Sequence, residues 1–225
     1  MFDFLKNLIR RSTPTVQINT PAASAKPPAT TAAPAVSLPP VDQDALNSID
    51  EWIDIHSRSG FGHIDDLCAD LEDIVLDWGI DDVDPWLQKF KTARAAHIKA
   101  QTSFPQNTLN DRLTEAFTDL NTRGILAFEN LGYTQSDGWA DLHQFQAERN
   151  TPAIGGVFYH GQDLERGVLG HGLAIRFGAF GDGDSVEIAK LTREVLAVHG
   201  IETEWNGDEG QVIDIPPFEW QRRLN

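Results

Sequence analysis

Residues 125–139 read ILAFENLGYTQSDGW and residues 154–167 read IGGVFYHGQDLERG. Each is a short apolar run, then a glycine-bearing polar turn, then the opening of a helix. Apolar runs of this length bounded by turn residues are buried strands. This fixes two strand-to-helix units: a strand at 125–132 with a helix from Ser136 to Glu148, and a strand at 154–160 with a short helix from Asp163. Downstream, LAIRFGAF at 173–180 gives a third strand and residues 184–199 a further helix. Two paired strands follow at 201–206 and 211–215, with Asn206, Gly207 and Gly210 in the turn between them, a hairpin signal.

Upstream, Thr108 with Asp111 three residues on opens a helix whose Leu109, Leu113, Phe117 and Leu120 share one face; Gly124 ends it. Three more apolar stripes at helical spacing precede it: Leu46, Ile49, Ile53, His56; Ile64, Leu67, Cys68, Leu71, Val75, Trp78; and Trp86, Phe90, Ala93, His97. Gly60 and Gly62 part the first two, and Asp84 before Pro85 is an N-cap and first-turn signal for the third. The expected class is α+β: an N-terminal helical region followed by a small mixed or antiparallel sheet of about five strands covered by helices.

The organisation reads as an amphipathic peptide at 1–12, a Pro/Ala/Thr linker at 13–41 expected to be disordered, a helical region at 42–106 and an α+β domain at 107–225. The last two form one compact unit at 42–225. In the first segment Phe2, Leu5, Leu8 and Ile9 alternate with Lys6, Arg10 and Arg11, which suits a membrane surface or a partner's groove. No stretch approaches the roughly 20 apolar residues that spanning requires. The basic residues follow the apolar ones, the reverse of a secretory signal.

Acidic residues number 34 against 18 basic, a net charge of -16. Residues 1–41 carry +3, which leaves -19 on the rest. Such a field repels nucleic acid and favours a basic protein partner. Asp65, Asp66, Asp70, Glu72, Asp73, Asp77, Asp81 and Asp82 form its densest run, first a solvated face and second a binding surface. Cys68, the single cysteine, lies among carboxylates, which do not favour a thiolate.

The two polar turns hold the candidate binding residues Tyr133, Gln135, Ser136, Asp137, Trp139, Tyr159, His160, Gln162, Asp163 and Arg166, with Arg176 from the next strand. Helix N-terminal amides exposed at strand ends suit a ligand's negative group. The same residues also account for the fold, because Ser136 or Asp137 can cap one helix and Asp163 the next. For acid-base chemistry the weak catalytic candidates are His160, Asp163 and Asp137, and no nucleophile elbow surrounds Ser136. The seven histidines show no H-x-x-x-H pair, so neither a metal nor a cofactor is expected.

ILAFENLGYTQSDGW, VFYHGQDLERGV, GLAIRFGAF and IPPFEWQRRL together resemble an uncharacterised bacterial family, domain of unknown function number 6891, over about residues 43–225. The resemblance implies a bacterial cytosolic setting and a single unit, and it assigns no catalytic residue. Two readings follow. One is a non-enzymatic binding protein, including an immunity-like inhibitor of a basic partner, either free in the cytoplasm or peripheral at the inner face of the membrane. The other is a hydrolase-type enzyme using His160 with a nearby carboxylate.

Overall fold

The computed structural model describes residues 43–224. The expectations for the N-terminal peptide and linker lie outside the described residues.

Helices α1 (Gln43–Arg58), α2 (Ile64–Asp77) and α3 (Asp84–Ala100) follow the three stripes. Their inward residues Ile49, Ile53, Leu67, Leu71, Val75 and Phe90 make a core of their own, with Cys68 half-buried against it. The glycines between α1 and α2 are needed for their backbone: Gly60 and Gly62 have φ of 85° and 82°, which side-chain-bearing residues avoid. The N-cap of α3 is Val83, not Asp84, and it makes no side-chain cap bond. Pro85 in the first turn supplies the helical φ instead.

After α4 (Leu109–Thr122) come β1 (Ile125–Phe128), α5 (Gln135–Ala147), β2 (Gly155–Phe158), α6 (Gly161–Val168), β3 (Leu173–Ala179), α7 (Ser185–Val198) and β4 (Ile213–Ile215). The sheet is mixed and ordered β1-β2-β3-β4, with β1 and β2 parallel and the other pairs antiparallel. It has four strands rather than five. Residues 201–206 reach the sheet only through one bridge between Glu204 and Asp214. Between them, Asp208 N donates to Asn206 Oδ1 and Gly210 N to Asp208 Oδ1, local bonds that compete with a longer ladder.

Alternate strand residues face opposite layers. Ile125, Ala127, Val157, Tyr159, Leu173, Ile175, Phe177, Ile213 and Ile215 join α4, α6 and α7 in the main core. Leu126, Phe128 and Phe158 meet α5 through Trp139, Leu142 and Phe145. Sheet and helix approach closely because β2 and β3 carry glycines: a Cβ on Gly178 would stand 2.7 Å from Trp139, and one on Gly156 2.8 Å from Leu142. At the outer edge of β1, the Asn121 side chain donates to Ala127 O at 2.8 Å and accepts from Ala127 N at 3.2 Å, taking the place of a further strand.

The C-terminal segment straps the helical region to the sheet. Trp220 Nε1 donates to Ser59 O at 3.1 Å, Gln221 N to Asn110 Oδ1 at 2.8 Å, and Gln101 pairs with both backbone groups of Leu224. Arg223 binds Asp111 and Pro105 O. The described residues accordingly fall in one unit. Among them, no helix is long and apolar enough to cross a membrane.

Candidate functional site

Because β1 and β2 run parallel, the polar turns that follow them leave the sheet at the same rim, and hydrogen bonds join them. Leu131 N donates to Tyr159 O at 2.9 Å, Gly161 N to Gly132 O at 3.0 Å and Gln162 N to Tyr133 O at 3.2 Å. Tyr133 is 52% exposed. Its ring covers Gly161, where a Cβ would come within 2.6 Å, and its hydroxyl lies 3.5 Å from Glu165 Oε2.

Each turn closes in a capping box. On α5 the cap is Thr134, with Asp137 bonding back to the Thr134 N–H and hydroxyl, so neither Ser136 nor Asp137 is the N-cap. These bonds hold the Asp137 carboxyl below its ordinary pKa. On α6 the cap is His160, and the helix starts at Gly161 rather than at Asp163. Asp163 N donates to His160 Nδ1 at 3.3 Å, and the Asp163 carboxylate accepts from His160 N. The chain fell into this box because β2 ends in an extended residue with an acceptor side chain, three positions before an acid.

The other ring nitrogen, Nε2, lies 3.1 Å from Asp163 Oδ2. Arg176 Nη2 lies 2.9 Å from that nitrogen and donates to Asp163 Oδ1 at 3.1 Å. It arrives there because Arg176 pairs with Phe158 in the sheet register. His160 is 3% and Asp163 5% exposed. Burial lowers the His160 pKa, Arg176 adds to the effect, and Asp163 and Asp137 oppose it. Burial raises the Asp163 pKa against the pull of Arg176 and His160. Chemically the trio is a tightly packed, buried knot that locks the start of α6 to β3, with Arg176 Nε left without a hydrogen-bond partner among the described residues.

Tyr133, Asp137, His160, Asp163 and Arg176 therefore gather at one rim. Gln135, Ser136 and Gln162 stand exposed in the first turns of α5 and α6. Trp139 packs edge-on to Phe158 at 5.2 Å. Tyr159 points through the other face to Glu129 at 3.2 Å, and Arg166 faces Asp214 at 3.6 Å. Two open surface depressions elsewhere, of 770 and 530 Å³, contain none of these residues. No group of three His, Cys, Asp or Glu suited to a metal ion occurs among the described residues.

Sequence reasoning missed a second polar cluster beneath the strap. Glu129 accepts from Arg222 Nη1 and Nη2 at 2.8 and 3.1 Å, from Thr114 Oγ1 at 2.9 Å and from the Tyr159 hydroxyl. Arg222 also lies 4.2 Å from the Phe61 ring centroid. No short motif signals it, because its members come from five separated segments.

A family model described as a domain of unknown function, DUF6891, matches residues 42–224. The chain belongs to this family. No curated protein and no solved structure matches it. The match takes in the helical region, the rim and the strap together, so the DUF6891 domain is the whole described unit rather than the sheet alone.

Proposed function

We propose that this DUF6891 protein is a non-enzymatic interaction protein that binds a basic protein partner through the outer face of α2. One observation carries the reading. Asp66, Asp70, Asp73 and Asp77 recur at steps of 4, 3 and 4, which places them on one helix face, and all four are exposed. None makes an ion pair among the described residues, and α2 has no basic residue of its own in its last turn. Burial raises the Asp70 pKa, and its neighbours Asp66 and Asp73 raise it further. Like charges at these spacings each cost a few tenths of a kcal/mol. At the end of the stripe Leu76 and Trp78 are each 45% exposed. An exposed tryptophan beside unpaired carboxylates suits a cationic, partly apolar surface.

The hydrolase alternative requires an accessible ring nitrogen on His160. Against it weighs the engagement of both nitrogens with Asp163 and Arg176. In the binding reading the protein works in the bacterial cytosol, and residues 1–12 direct it to a membrane surface or a partner's groove. Sedimentation with anionic liposomes, with and without those residues, separates the two.

The main test is capture from bacterial lysate at low salt, identification of the retained protein, and titration of the purified pair. The expected partner is basic, binds more weakly as salt rises, and loses at least about tenfold in affinity to the Asp70→Asn/Asp73→Asn/Asp77→Asn variant. Equal affinity for that variant overturns the reading.

A further inference from the structure

Asn206-Gly207 is the single Asn-Gly step in the sequence, and the fold leaves it at an exposed turn. The hairpin around it is held by the Glu204–Asp214 bridge, at 2.8 and 2.9 Å. Gly207 has φ of 91°, and nothing lies within 4 Å of where its Cβ would be. Its N–H has no hydrogen-bond partner among the described residues, nor has Asn206 Nδ2. Asn206 Oδ1, in contrast, accepts from Asp208 N at 3.0 Å.

Three conditions that favour an intramolecular acyl transfer are present. The nucleophile is free and unhindered, since glycine lets its nitrogen approach the neighbouring carbonyl carbon without a Cβ in the way. The electrophile is polarised by a donor aimed at the oxygen on which charge develops. The leaving nitrogen is not held.

We propose that Asn206 is a self-modification site, converted in the folded protein to a mixture of aspartate and isoaspartate. The Gly207 nitrogen loses its proton to solvent base and attacks Asn206 Cγ. A C–N bond forms, the Cγ–Nδ2 bond breaks, and Nδ2 departs as ammonia after taking up a proton. The resulting succinimide is opened by water at either carbonyl. The net change consumes one water, releases one ammonia and moves no electrons. Each converted copy gains a carboxylate beside Asp208 and Glu209, and the isoaspartyl product carries one extra main-chain carbon at the hairpin tip. That tip positions Trp205, whose Nε1 donates to Asp208 O at 2.9 Å and whose ring packs edge-on to Phe177 at 5.6 Å.

The test incubates the folded full-length protein in mildly alkaline and mildly acidic buffer and maps its peptides by mass. The expected result is replacement of NH2 by OH at residue 206, faster in alkali. At Asn150, which is exposed but followed by Thr151, the change should be at least about tenfold slower. An isoaspartate-specific carboxyl methyltransferase should label the aged wild type and not Asn206→Gln. If the amide at 206 in the folded chain lasts as long as that at Asn150, the proposal fails, whatever happens in urea.

Discussion

Glu129 and Arg222, 93 residues apart in sequence, meet in a two-point ion pair at 2.8 and 3.1 Å, with side chains 11% and 18% exposed. Glu129 follows β1 and Arg222 lies in the strap, so the pair ties the chain's end to its sheet. Removing one partner leaves the other charged and poorly hydrated. Arg222→Ala should therefore destabilise by about 3 kcal/mol, and Glu129→Gln by a similar amount. The double variant should cost clearly less than the sum, because the second change removes the stranded charge. Urea denaturation of the four proteins measures this, and strict additivity would contradict the coupling.

His160→Ala removes the cap of α6 and leaves Asp163 and Arg176 without their shared neighbour. A loss of about 2 kcal/mol is expected, and His160→Asn, which caps equally well, should recover part of it. A fully stable alanine variant would mean that the imidazole is not structural and would return it to the list of chemical candidates.

His56 lies at 4.2 Å from Trp52, ring to ring, and burial lowers its pKa to about 4. The folded chain keeps this imidazole neutral, whereas the unfolded chain takes up a proton below about 6.5. Its contribution to stability is thus whole above pH 6.5 and declines as pH falls toward 4, by a limit on the order of 3 kcal/mol. His56→Phe should flatten the fall. The informative quantity is the wild-type-minus-variant difference across that window; a difference independent of pH would refute the assignment.

Gly155 and Gly170 offer a paired test of close approach against backbone freedom. A Cβ on Gly155 would stand 2.6 Å from Gly178 O, across the β2–β3 ladder, while Gly170 has φ of 82° and open space around it. Gly170→Ala should cost about 1 kcal/mol, from the strained φ alone. Gly155→Ala should cost at least about 2 kcal/mol, because backbone must move. Reversed ranking in thermal melts would contradict the strand register.

Replacing Asp66, Asp70, Asp73 and Asp77 by asparagine should leave the fold intact and raise its melting temperature slightly, since repulsion along α2 is relieved. A marked loss of stability would show that the carboxylates are structural and would undercut the binding surface proposed for them.

The helices were largely legible in the sequence because their signals are local. The Leu67, Leu71, Val75 stripe and the Thr108/Asp111 box each sit within a few turns of one element and need no distant partner. The caps of α5 and α6 were misplaced by a few residues for a related reason: Asp137 and Asp163 are capping acids in both readings, but Thr134 and His160 reveal their role only once the strand end sets their backbone extended. The fifth strand was overread because the Asn206 and Asp208 side chains take backbone N–H groups of the 206–210 turn into local bonds.

Sequence alone determined the class, the order of the helices and of four of the five expected strands, the charge excess and the two polar turns, all of which rest on periodicity and on residue chemistry within short windows. Tertiary structure decided that the turns share a rim, that Arg176 reaches His160 and Asp163, and that Arg222 reaches Glu129. Those contacts depend on strand order and register and on the path of the C-terminal strap, which are chosen by burial across the whole chain and leave no mark at fixed spacing.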